Sequence, residues 1–182
     1  MEPAIGLIET NSIAVGIQVG DAMVKRAPVR LLEARSICPG KYMVLVGGDT
    51  APVEEAMQAG RAIGAEAIVD QLLLPNVHRS VFPAIAGAVE MGQVEALGII
   101  ETLSVATAIV AADAAVKAAE VTLTEIRLAN GLGGKSFVLL VGDVSNVEAA
   151  VEAGALPCRA EGLLVRAVVI PQLHPDMKAK IV

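Results

Sequence analysis

Residues 4–35, AIGLIETNSIAVGIQVGDAMVKRAPVRLLEAR, lie over residues 96–127, ALGIIETLSVATAIVAADAAVKAAEVTLTEIR, without a gap and with 17 of 32 positions identical. A self-match of this length limits the chain more than its composition does, because whatever the first half folds into, the second half must fold into again. The likeness continues past a length difference of two residues. GKYMVLVGGD (40–49) matches GKSFVLLVGD (134–143), VEEAMQAG (53–60) matches VEAAVEAG (147–154), and LPNVH (74–78) faces IPQLH (170–174). The chain is a tandem duplication of a domain of about 90 residues, with the expected domains at 1–92 and 93–182 and the boundary near Gly92.

Each half reads as strand, helix, strand, strand, helix, strand, helix. IGLIET is a short apolar run suited to a buried strand, after which Ser12, or Ser104 in the second copy, begins a helix as N-cap. That helix keeps apolar residues at helical spacing and ends before Pro28. VRLLEARSI and KYMVLVGG are strands on either side of a CPG turn. A second helix starts near Thr50 in one copy and at SNVE (145–148), a capping-box pattern, in the other. AIVDQLLL and GLLVRAVVI are the closing strands. The expected fold class is α/β in the loose sense (α+β), with a mostly antiparallel sheet and flanking helices in each domain.

Composition narrows the function. Hydrophobic residues are 54% and charged residues 19%, enough for a packed core and contrary to disorder. Charge-free stretches such as 102–112 fall well short of the roughly 20 residues that cross a bilayer, so no membrane association is expected. Residues 1–20 contain Glu2 and Glu9 and lack a basic n-region, which points to a cytoplasmic protein. A net charge of −6 and only 2% aromatics argue against nucleic acid as a partner, since phosphate contacts need a basic face and single strands need stacking platforms. The two cysteines, Cys38 and Cys158, are far apart in sequence and do not suggest a disulfide framework.

Five ordered motifs recur in both halves: GLIET or GIIET, the helix ending in GDAMVK or AADAAVK, a turn followed by GK, GD before the second helix, and a PxxH tail. Together they resemble the bacterial microcompartment shell domain. Two copies in one chain resemble the tandem shell proteins that form trimers with pseudo-sixfold symmetry. The CPGK turn is similar to that of the iron–sulfur type associated with propanediol-utilisation compartments. Asn76 and Gln172 stand where the family often has Arg in its PRPH tail, so the edge contacts credited to that Arg do not carry over by resemblance. A head-to-tail contact between unlike surfaces closes into a ring when the rotation allows, and three such chains supply six domains.

The resemblance implies a structural, non-enzymatic shell protein. No Ser/His/Asp or paired-carboxylate constellation stands out in the sequence. It also implies that the turn Ile37, Cys38, Pro39 and Gly40, with its second-copy counterpart Asn130, Gly131, Leu132 and Gly133, lines a central pore. Three Cys38 thiolates would converge there and hold one [4Fe-4S] cluster per trimer, with electron passage across the shell as its use and a redox protein as a possible partner. A Cys₃ zinc site, an empty pore for small metabolites and an unligated small residue are alternatives. So is a soluble redox or regulatory subunit outside any shell. Lys25 and Lys117 are expected, by resemblance, to lie along the edge against other shell proteins; on the residues alone they favour a helix C-terminus.

Other residues read more simply. Cys158 is structural. ANGLGGKS (129–136) ends like a phosphate-binding loop, but Ala129 replaces the first glycine and a strand-like run follows where a helix is needed, so its glycines shape the second pore loop instead. His78 and His174 are capping or edge residues. The recurrence of Glu9 and Glu101, and of Asp21 and Asp113, points to a role in the fold.

Overall fold

The computed structural model describes residues 3–90, 92 and 95–181. The chain forms two compact units, Met1–Val77 and His78–Val182. In the first, β1 (Pro3–Thr10) leads to α1 (Ile13–Arg26), β2 (Arg30–Ile37), β3 (Lys41–Asp49), α2 (Thr50–Gly64) and β4 (Ile68–Leu74). The second contains α3 (Val81–Ile85), β5 (Ala96–Thr102), α4 (Val105–Ala118), β6 (Thr122–Leu128), β7 (Ser136–Gly142), α5 (Val144–Ala160), β8 (Leu164–Pro171) and α6 (Pro175–Ile181). The sheets have the orders β2-β3-β1-β4 and β6-β7-β5-β8, every pairing is antiparallel, and helices pack on each sheet, in agreement with the expected class.

The second repeat starts near the expected boundary at Gly92, whereas the contacts divide the chain earlier, between Val77 and His78. The cause is α3, which packs on β6 and α4 and so belongs physically to the second unit.

The apolar run of β1 becomes the central strand of its sheet. It is buried on both faces, with Ala4 and Ile8 facing the cluster formed with Val19, Met23, Val53, Ala56 and Met57 from α1 and α2. Each fully buried aliphatic side chain of this kind contributes about 1.5–3 kcal/mol relative to exposure. Ser12 and Ser104 cap α1 and α4 as expected, accepting main-chain N–H bonds from Val15 and Thr107. The cap of α5 is Asp143 and not the Ser145 of the SNVE pattern. The Asp143 carboxylate, two residues before Ser145, accepts the Asn146 N–H at 2.8 Å, and Ser145 instead donates its hydroxyl to that same carboxylate at 3.0 Å.

The helices cross closely at matching glycines. A Cβ on Gly60 would stand 2.6 Å from Ile8 Cδ1 and 2.9 Å from Met23 Cγ, and one on Gly154 would stand 2.6 Å from Ile100 Cδ1 and 2.7 Å from the main-chain oxygen of Ala111. Glycine at this place lets α2 lie on α1 and α5 on α4.

Candidate functional site: the two hairpin turns

The hairpin β2–β3 closes with Ile37 opposite Lys41, which leaves Cys38, Pro39 and Gly40 as the connecting residues. Three residues suffice because Gly40 takes a left-handed φ of 72° at the reversal. The Cys38–Pro39 peptide is cis. Cys38 is a free thiol, half-buried, presented at the tip of the turn.

In the second unit the last pair of the corresponding hairpin is Leu128 with Ser136, and residues 129–135 connect the strands. Ala129, Gly131, Gly133 and Gly134 all have positive φ. Among the described residues, beyond each glycine's own chain neighbours, no heavy atom lies within 4 Å of where a Cβ would stand on Gly40, Gly131 or Gly133. The backbone angle, and not crowding inside the domain, is what requires glycine there. Asn130 and the loop glycines Gly131 and Gly133 are exposed, with Leu132 half-buried. GKS runs into β7, a strand, so the phosphate-loop geometry is absent.

Each turn is tied to the central strand by an ion pair that the sequence reading did not join. Lys41 Nζ lies 2.9 Å from Glu9 Oε2, and Lys135 Nζ lies 2.5 Å from Glu101 Oε1. Glu9 is buried while its lysine is half-buried; the second pair is more open. The signal was present in the recurrence of both GK and IET, but 32 and 34 residues separate the partners, and only strand pairing brings them together.

Among the described residues, no three His, Cys, Asp or Glu side chains of one chain gather as a metal site. A cluster on Cys38 therefore needs thiolates from other copies of the chain, and a thiol at an accessible turn tip is the right donor type for that. Cys158 is different. It lies in α5, buried, with its Sγ 3.3 Å from the Gly154 carbonyl, and burial pushes its thiol up to about 11. It has the properties of an inert core residue.

Lys25 and Lys117 each pair with the acid one helical turn earlier, Asp21 and Asp113, at 2.6 Å. His78 and His174 act as local caps, as expected: their Nδ1 atoms accept the main-chain N–H of Ser80 at 3.3 Å and of Asp176 at 3.2 Å. Asn76 and Gln172, in place of the family arginine, both hold left-handed backbone, with φ of 54° and 53°.

The pattern of the BMC domain matches residues 4–77 and again residues 96–173. The chain belongs to the BMC domain family. Its two BMC domains make it a tandem microcompartment shell protein, and the place of such a protein is the shell of the compartment. The chain is 46% identical to the bacterial microcompartment shell protein PduT of Citrobacter freundii over 97% of its own length and 96% of that relative. A crystal structure of a microcompartment protein from Desulfitobacterium hafniense DCB superposes with a TM-score of 0.95 at 50% identity, covering 98% of this chain and 99% of that one. A fused permuted hexameric shell protein, MSM0275, shares the fold with a TM-score of 0.60 at 21% identity, over 87% of this chain and 82% of that one. Among the described residues no helix is long and apolar enough to cross a membrane.

Proposed function

We propose that this BMC shell protein assembles as a homotrimer whose six domains form a pseudohexameric ring, tiles with other shell proteins, and carries one [4Fe-4S] cluster in its central pore on three Cys38 thiolates. The observation that carries the reading is the asymmetry of the two turns: a free, half-buried thiol stands at the tip of the short turn in the first BMC domain, and the matching loop of the second has glycines instead. Threefold symmetry turns one thiol per chain into three around an axis, which leaves one iron to an outside ligand. When bound, such a cluster supplies one-electron redox chemistry, and its use here is electron passage across the shell to a redox protein. Gly40 and the register of β2 with β3 hold the thiol in place, while Lys41 and Glu9 anchor the turn from behind. Lys25 and Lys117 stand on exposed helix ends, fit to contact neighbouring shell proteins at the edge.

The test is electron paramagnetic resonance with iron and sulfide analysis on protein purified without air, beside a Cys38→Ser variant of the same assembled mass. About one cluster per three chains, lost in the variant, is the expected result. Absence of iron from both samples after reconstitution would overturn the cluster and leave a pore passing small polar molecules past the exposed main chain of Asn130, Gly131 and Gly133.

A further inference from the structure

A buried charge pair stands at the base of the thiol-bearing turn. Glu9, on the central strand β1, is 1% exposed, and its carboxylate meets the Lys41 ammonium at 2.9 Å. Lys41 is the first residue of β3 and pairs with Ile37, so the ammonium comes from the strand end that closes the three-residue turn of Cys38, Pro39 and Gly40. The second unit repeats the pair in the same register, since Glu9 stands opposite Met43 in one sheet and Glu101 opposite Phe137 in the other, each two residues past its lysine. The exposure differs. Glu101 and Lys135 are 32% and 46% exposed, against 1% and 25% for Glu9 and Lys41. Duplication kept both pairs, and the buried one belongs to the turn that carries the thiol.

Burial of an ion pair is weak evidence that the pair is there for stability, because desolvation offsets most of the attraction. What burial changes is reach: a charge held out of water is screened little, so its field extends to nearby groups. Close to Lys41 in the chain, that group is whatever Cys38 holds. The potential of an iron–sulfur cluster is set by the net charge, hydrogen bonds and solvent exposure around it. Reduction adds a negative charge, so an ammonium nearby favours the reduced form, and a carboxylate in contact with that ammonium cancels the effect.

We infer that Glu9, acting through Lys41, sets the reduction potential of the Cys38 site. By neutralising one ammonium per chain it withholds three positive charges from the pore axis and keeps the potential below the value the lysines alone would give. The inference rests on the cluster reading above and goes beyond it: anchoring the turn needs only a hydrogen bond, which a neutral amide also makes, whereas setting the potential needs the charge.

The test is a redox titration followed by electron paramagnetic resonance on protein reconstituted without air. Glu9→Gln keeps an oxygen that accepts from Lys41 and removes only the charge. It is expected to leave the assembled mass, circular dichroism and iron content unchanged and to raise the potential by about 59 mV, a tenfold change in the ratio of reduced to oxidised cluster for one electron. Adding Lys41→Gln restores neutrality and should return the potential to that of the unaltered protein. Glu101→Gln should move it less, because water screens the open pair. An unmoved potential in loaded Glu9→Gln, a potential still raised in the double variant, or an equal shift from Glu101→Gln would overturn the assignment. Loss of the cluster from Glu9→Gln alone would overturn it too, by making the pair purely structural. An unaltered protein that takes up no cluster would overturn the pore reading itself.

Discussion

The two halves have the same strand order, the same pairing register around the central strand and the same Ser-capped first helix, yet they differ in what their first helix meets. In the second half α4 is buried along most of its length, and its Asp113–Lys117 pair is covered on the acid side. In the first half α1 shows Ile13, Ile17 and Val24 to solvent, and its Asp21–Lys25 pair is open. Duplication copies local structure faithfully, because local structure follows from residues near in sequence. It does not copy burial, which depends on the segment that lies against each face.

The largest test of this comparison is at the helix crossings. Gly154→Ala drives a methyl against the fixed main-chain oxygen of Ala111, and Gly60→Ala meets only side chains, of which Met23 is flexible. We expect a loss of about 3 kcal/mol for Gly154→Ala and about 1 kcal/mol for Gly60→Ala, read from urea midpoints at unchanged slope. Equal losses would break the distinction between a rigid and a yielding neighbour. A smaller effect separates the two acids. Asp113→Ala should cost about 2 kcal/mol because a part-buried N–H loses its acceptor. Asp21→Ala should cost less than about 0.5 kcal/mol, as an exposed pair. Equal costs would break the comparison between a covered acid and an open one.

The smallest effect concerns acid stability. The Asn146 main-chain N–H, with the Ser145 hydroxyl behind it, holds the Asp143 carboxyl below its ordinary value of 3.8, whereas Asp49 makes no side-chain cap at the matching helix start. A carboxyl whose value is depressed on folding adds stability that is complete above the unfolded value and is lost as pH falls through the folded one. Asp143→Asn keeps a capping side chain but cannot ionise, so it should lower the urea midpoint slightly at neutral pH and flatten its fall below about pH 4, the two proteins converging in acid. An unaltered acid limb would show that the cap does not survive in solution.

Particular residues show how much of this could be read in advance. The CPG turn was legible because proline and glycine act on their own backbone, and Ser12 and Ser104 because a cap bonds within its own turn. The SNVE pattern misled by one position group: Asp143, also a good cap, sits two residues earlier, and the two candidates differ only in which one the β7 exit places outside the helix. The Glu9–Lys41 and Glu101–Lys135 pairs escaped because their partners are joined across a sheet. Assignment of α3 to the second unit escaped as well, since a five-residue helix in a linker has no signal for the surface it packs on.

The sequence by itself determined the duplication, the α+β class, the element order, and the placing of a lone thiol in a reversing turn, all consequences of short-range backbone preferences repeated twice. Only the tertiary structure decided which of two matching acids is covered, which lysine answers Glu9 and which Glu101, and that Met177 stands exposed where Val81 is buried. Those depend on surfaces meeting, and burial is a property of two segments together, which neither segment encodes alone.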